Sequence, residues 1–245
     1  TLATAMAQLG QGQRADAKKT YEGLAGMRRG KSFSASGLAD IASLEGRFGD
    51  AVRILRAAVA DDLAAEDTDS AAAKLLAIAA AELWRGRKDA AVAAADEALM
   101  HAQDYRTKFL AARTFAEAGE VAKTRPLVEA LDNEIPKEAR AYAKIVQGVL
   151  ALNRGHSRRA VIFMEDANTL FSTWIGQFDL GRAAIEAGLF SKADSAFDLC
   201  LNARRGEALA LFADEQPTYA YLAPAYYYLG RTRQGVKSNR YAEAY

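Results

Sequence analysis

The amino-acid sequence predicts an all-α array of about seven short antiparallel helical hairpins, and three observations predict it. First, six glycines, Gly12, Gly46, Gly86, Gly119, Gly155 and Gly188, recur at gaps of 34, 40, 33, 36 and 33 residues. That period holds two short helices and two turns, the signature of stacked helical repeats. Second, small residues recur in phase with those glycines. Seven positions before them stand Ala5, Ala39, Ala79, Ala112, Gly148 and Gly181, and five after them Ala17, Ala51, Ala91, Thr124, Ala160 and Ala193. Third, half of the chain is apolar, only 4 of 245 residues are proline, and no stretch alternates polar and apolar in a strand-like way.

Each column has a physical job. The glycine supplies the positive φ with which a helix commonly ends. A small residue midway along each helix lets two backbones approach closely. Four positions beyond the second small column come Tyr21, Leu55, Ala95, Val128, Met164 and Phe197, and three further Leu24, Ala58, Ala98, Leu131, Ala167 and Cys200. Steps of three and four keep each set on one helical face.

In chain order the first hairpin takes 2–10 and 13–28, the second 34–46 and 49–61, the third 69–86 and 88–103. The fourth takes 105–118 and 121–132, the fifth 138–154 and 157–171, the sixth 174–187 and 190–204. Asp50, Asp89 and Ser157 follow turns and are placed to cap second helices, and Pro136 suits a helix start. The second repeat is about six residues longer, an excess assigned to a loop over Asp61–Asp69. Residues 205–216 interrupt the rhythm as an insertion, and 217–245 begin a truncated last hairpin rich in tyrosine. Of those rings, Tyr226, Tyr227 and Tyr228 are consecutive and spread around a helix, so some must be core and others open to a partner. The whole is read as one elongated domain, cut from a longer protein because it starts with Thr1 and ends inside a helix at Tyr245.

This register, small residue, turn glycine, alanine, aromatic, alanine, with one closing proline at Pro136, resembles the tetratricopeptide repeat (TPR) from Ala5 to Cys200. The early tryptophan of that motif is missing from every unit, and Thr124 replaces one alanine. The resemblance implies a right-handed α-α superhelix that binds proteins. A shorter stretch, Arg205-Gly206-Glu207-Ala208 with Pro217-Thr218-Tyr219 and Tyr226 to Arg231, is similar to the C-terminal repeat region of bacterial eukaryotic-like serine/threonine kinases. No kinase motif accompanies it.

Chemistry is absent from the sequence. The formal net charge of +1 gives no pull toward nucleic acid or an anionic membrane. No apolar run reaches the roughly 18 residues of a membrane span. Cys200 is read as a buried hydrophobe, His101 as a helix-end residue and His156 as an exposed turn residue. No pattern for a nucleophile, a phosphate loop or a metal is present, so no enzyme, cofactor or metal is expected. The acidic pairs Asp61–Asp62 and Glu66–Asp67 are read as solvated loop.

What remains is a protein or peptide partner, with a homo-oligomer as the second possibility. In TPR arrays the first helices line the groove. Counting thirteen, ten and six residues back from the turn glycines selects Arg106, Phe109, Arg113, Tyr142, Phe178 and Arg182, together with Ile145, Val149 and Ile175. An apolar floor between arginines would take an acidic peptide. The alternative is that the arginines pair with Glu117 or Glu186 and the rings simply pack between helices.

Overall fold

A computed structural model describes residues 1–27, 30–201 and 222–235. Among these residues every regular element is an α-helix, and there are thirteen. They fall into two compact units, one of residues 1–103 and one beginning at Asp104.

The first unit holds three hairpins: α1 (Leu2–Gly10) with α2 (Arg14–Leu24), α3 (Gly30–Leu44) with α4 (Phe48–Ala64), and α5 (Thr68–Trp84) with α6 (Lys88–His101). The second holds α7 (Tyr105–Ala118) with α8 (Val121–Asp132), α9 (Lys137–Asn153) with α10 (Ser157–Leu170), α11 (Trp174–Glu186) with α12 (Phe190–Leu201), and α13 (Leu222–Gly235), which packs on α12. Within each unit consecutive hairpins are neighbours. The insertion 205–216, and Ala242 with Tyr245 of the last hairpin, lie outside the described residues.

The small columns do what their size allows. All twelve residues are buried. At Gly181 a methyl group would sit 2.5 Å from the Phe197 ring, and at Gly148 one would sit 2.5 Å from Met164 Cε. The large residue one helix over therefore fills the space that a side chain would take. All six turn glycines have φ between 72° and 97°, a left-handed conformation that L side chains rarely adopt. The same turn recurs between α4 and α5, but there Glu66 takes φ 60°.

Three details differ from the expectation. The extra residues of the second repeat do not form a loop: α4 and α5 are each 17 residues long, and only 65–67 join them. Asp50, Asp89 and Ser157 do not cap. The caps of α4, α6 and α10 are Arg47, Arg87 and His156, and none makes a side-chain cap bond. One residue after the glycine suffices to re-enter the helix, so the three already lie inside the first turn. Asp61 and Asp62 lie within α4, and Asp62 is buried, 2.6 Å from Lys74 Nζ. Lys74 also donates to Ser32 Oγ at 2.6 Å. A buried ammonium needs a compensating charge, and this pair supplies it.

Candidate functional site

The nominated residues sit on α7, α9 and α11, the first helices of three successive hairpins in the second unit. They gather into two clusters. In one, Phe109 and Tyr142 stack with ring centroids 3.9 Å apart, and both are fully buried. Tyr142 and Tyr105 each donate a hydroxyl hydrogen bond to Glu138, at 2.9 Å. Arg106 Nη2 reaches the same carboxylate at 3.4 Å. Arg106 is held locally by its helix start. Asp104 caps α7, accepting from the Arg106 and Thr107 amides at 2.9 and 3.1 Å. Burial pushes the Asp104 carboxyl up, but a hydrogen bond from the Thr107 hydroxyl at 2.6 Å, followed by the two amides, outweighs it and leaves it below its ordinary value.

In the other cluster Arg113 donates to Asp179 through Nε at 2.9 Å and Nη2 at 2.8 Å, a two-pronged pair. Arg182 donates to Glu117 at 2.6 Å and to Asp179 at 2.9 Å. Arg113 Nη2 also lies 3.6 Å from Glu117. Two cations and two anions thus balance, and they tie α7 to α11, two hairpins apart. Burial opposes ionisation of Asp179, whose side chain is 0% exposed, yet Arg113 and Arg182 together hold its pKa below the ordinary value. Glu117 behaves in the same way, with Arg182 the stronger partner. Phe178 is enclosed between Trp174, Phe197 and Tyr228, at 5.4, 6.1 and 5.8 Å. Tyr228 belongs to α13, while Tyr226 and Tyr227 on the same helix are half exposed.

The structure therefore gathers the six residues into two clusters and engages their polar groups internally. Arg182 meets Glu117, one of the acids named in the alternative reading; Glu186 is exposed. The sequence reading missed Asp179 and Glu138. A signal for Asp179 exists: it stands nine before its turn glycine, where four of the other five hairpins place buried Gly37, Ala77, Leu110 and Val146. Lys74 carries the same signal, since its column otherwise holds buried Ser34, Thr107, Ala143 and Gly176.

An open polar cleft of about 280 Å³ adjoins this network, lined by Asn153, Gly155, Ser157, Arg182, Glu186 and Tyr228. Cys200 is buried, and that burial, helped by Asp179, pushes its thiol well up. Among the described residues no group of three or more His, Cys, Asp or Glu could hold a metal, and no helix is long and apolar enough to cross a membrane.

No family profile matches the chain, and no curated protein matches it. A solved structure does: a chain of the crystal structure titled APC/C hetero-tetramer Cut9-Hcn1, at 14% identity and a TM-score of 0.55. The match covers 97% of this chain and 46% of that one, so this chain spans about half its length. At that identity the likeness shows the fold. The chain has the α-α superhelical repeat fold, built of TPR-like hairpins. The kinase-like resemblance gains nothing, because Arg205–Ala208 and Pro217–Tyr219 lie outside the described residues and Tyr226–Arg231 is ordinary helix.

Proposed function

We propose that this chain is a non-catalytic scaffold that holds a protein or peptide partner on the first-helix face of its second unit. The observation that carries the reading is the repeat architecture itself, matched along almost the whole chain to a component of a hetero-tetramer. Stacked hairpins present extended surface rather than an enclosed reaction site. Arg106 and Arg182 are partly exposed and form the rim, whereas Phe109, Tyr142 and Phe178 form the bed that keeps the rim rigid. The cleft at Glu186 and Tyr228 supplies the adjoining depression.

The test is cross-linking of a purified partner to the chain, followed by Glu186→Arg and Arg106→Ala. The expected result is cross-links mapping to α7, α11 and α13 and weaker binding for both variants, with helix content unchanged. Binding indifferent to both substitutions would overturn the placement. A doubled mass in sedimentation, with no hetero-partner bound, would favour self-association instead.

A further inference from the structure

The hairpin α9–α10 carries an asymmetry of charge that its own fold does not use. Residues 140–163 contain Arg140, Lys144, Arg154, Arg158 and Arg159 and not a single Asp or Glu, in a chain whose net charge is +1. Most cations elsewhere in the second unit have carboxylate partners, as Arg106, Lys108, Arg113, Arg182, Lys192 and Arg233 show. Among the described residues none of these five forms an ion pair. Glu138 is engaged by Arg106, Glu165 by Lys192, and Asp166 lies beyond Phe163.

Three further observations show that the cations form one strip. Lys144 and Arg159, from the two helices, both lie over the Phe163 ring, at 5.9 and 5.4 Å. Arg140 stands one turn before Lys144 on the same face of α9, with a buried Nε that has no hydrogen-bond partner. At the turn Arg154 and Arg158 are exposed. Arg158 and Arg159 also occupy the first turn of α10, where a cation opposes the helix dipole. The corresponding turns of α2, α4 and α6 place Asp16, Asp50 and Asp89 there, whereas those of α8 and α12 hold no acid and one lysine each, Lys123 and Lys192. An arrangement that costs the free protein stability is relieved when an anion covers it.

We infer that this strip on α9 and α10 is a docking surface made of cations other than Arg106, Arg113 and Arg182, and that its partner is an acidic segment of a protein. A rise of about 1.5 Å per residue from Arg140 to Arg154 makes the strip about 21 Å long, the length of roughly six extended residues. The aromatic ring at its centre keeps Lys144 and Arg159 pre-positioned, so little side-chain freedom is lost on binding. Nucleic acid is the poorer fit. A polyanion needs a strongly basic domain, and the sequence pI here is about 7.7.

The experiment is fluorescence anisotropy of the whole chain with a labelled hexapeptide of alternating Glu and Asp. A Gln/Asn hexapeptide and a single-stranded oligonucleotide are measured in parallel. The acidic peptide is expected to bind, to weaken with added salt, and to lose roughly tenfold in affinity in Lys144→Glu/Arg159→Glu. Should the charge reversal perturb folding, Lys144→Gln/Arg159→Gln gives the same loss with an unchanged circular dichroism spectrum. The inference is overturned if the acidic peptide binds no better than its amide counterpart, or equally well to the neutral variant. It is also overturned if the oligonucleotide binds more tightly than the peptide. Glu186→Arg and Arg106→Ala report on the proposed function through different residues, so the two readings fail separately.

Discussion

Replacing Asp179 by Asn is the sharpest probe of what holds the second unit together. The wild-type carboxylate is 0% exposed and accepts three hydrogen bonds, two from Arg113 at 2.9 and 2.8 Å and one from Arg182 at 2.9 Å. The amide keeps the shape but removes the charge, leaving two guanidinium groups to share Glu117. Breaking a buried pair by removing one partner costs about 3–5 kcal/mol. For a chain of this length each kcal/mol shifts Tm by about 2–4 °C, so the expected drop is roughly 6–20 °C. Thermal unfolding followed by far-UV circular dichroism reads it. The double variant Arg113→Met/Asp179→Leu should recover most of the loss, because it removes one cation and one anion and leaves Arg182 paired with Glu117 at 2.6 Å. Acid adds an independent arm. Folded-state pKa values of Asp179 and Glu117 lie below their ordinary 3.8 and 4.5. Their stabilisation is therefore complete above the unfolded values and is lost as pH falls through the lower folded ones. Wild-type Tm should be flat above about pH 5 and fall below it, more steeply than in Asp179→Asn. A cost under about 1 kcal/mol for Asp179→Asn, or a double variant no more stable than the sum of the singles, would refute the argument.

Three other outcomes follow from the packing. Gly181→Ala should destabilise by about 1–2 kcal/mol in urea unfolding despite the better helix propensity of alanine, because its methyl meets the Phe197 ring at 2.5 Å; adding Phe197→Leu should relieve it. Glu66→Gly should stabilise by about 1 kcal/mol, raising Tm by about 2–4 °C, because Glu66 is exposed and sits at φ 60°. Cys200, 1% exposed, should resist a thiol reagent in the native protein and react at the unfolding rate when denaturant is added.

Much of the fold was legible because packing here repeats. The spacing-derived ranges 105–118 and 121–132 coincide with α7 and α8, and the buried columns Ala17 to Ala193 and Leu24 to Cys200 are core throughout. Where the expectation slipped, it did so at sites that repetition does not describe. The extra length lies in α4 and α5 and not in a loop, and a linear reading hides it because Asp61 and Asp62 look like solvated acids. A column of repeat positions does not say that α7 and α11 bring Arg113 onto Asp179, 66 positions away.

The sequence by itself determined the hairpin array. A helix face is a local periodicity, a turn glycine is a local dihedral requirement, and both are written within a few residues of where they act. Only the tertiary structure decided which charges are spent within the fold and which stay available. Arg113 and Arg182 are neutralised by carboxylates on other helices, while Lys144 and Arg159 meet an aromatic ring and no carboxylate among the described residues. Ion pairing depends on distances of a few ångströms between residues far apart in the chain, and no local pattern encodes those distances.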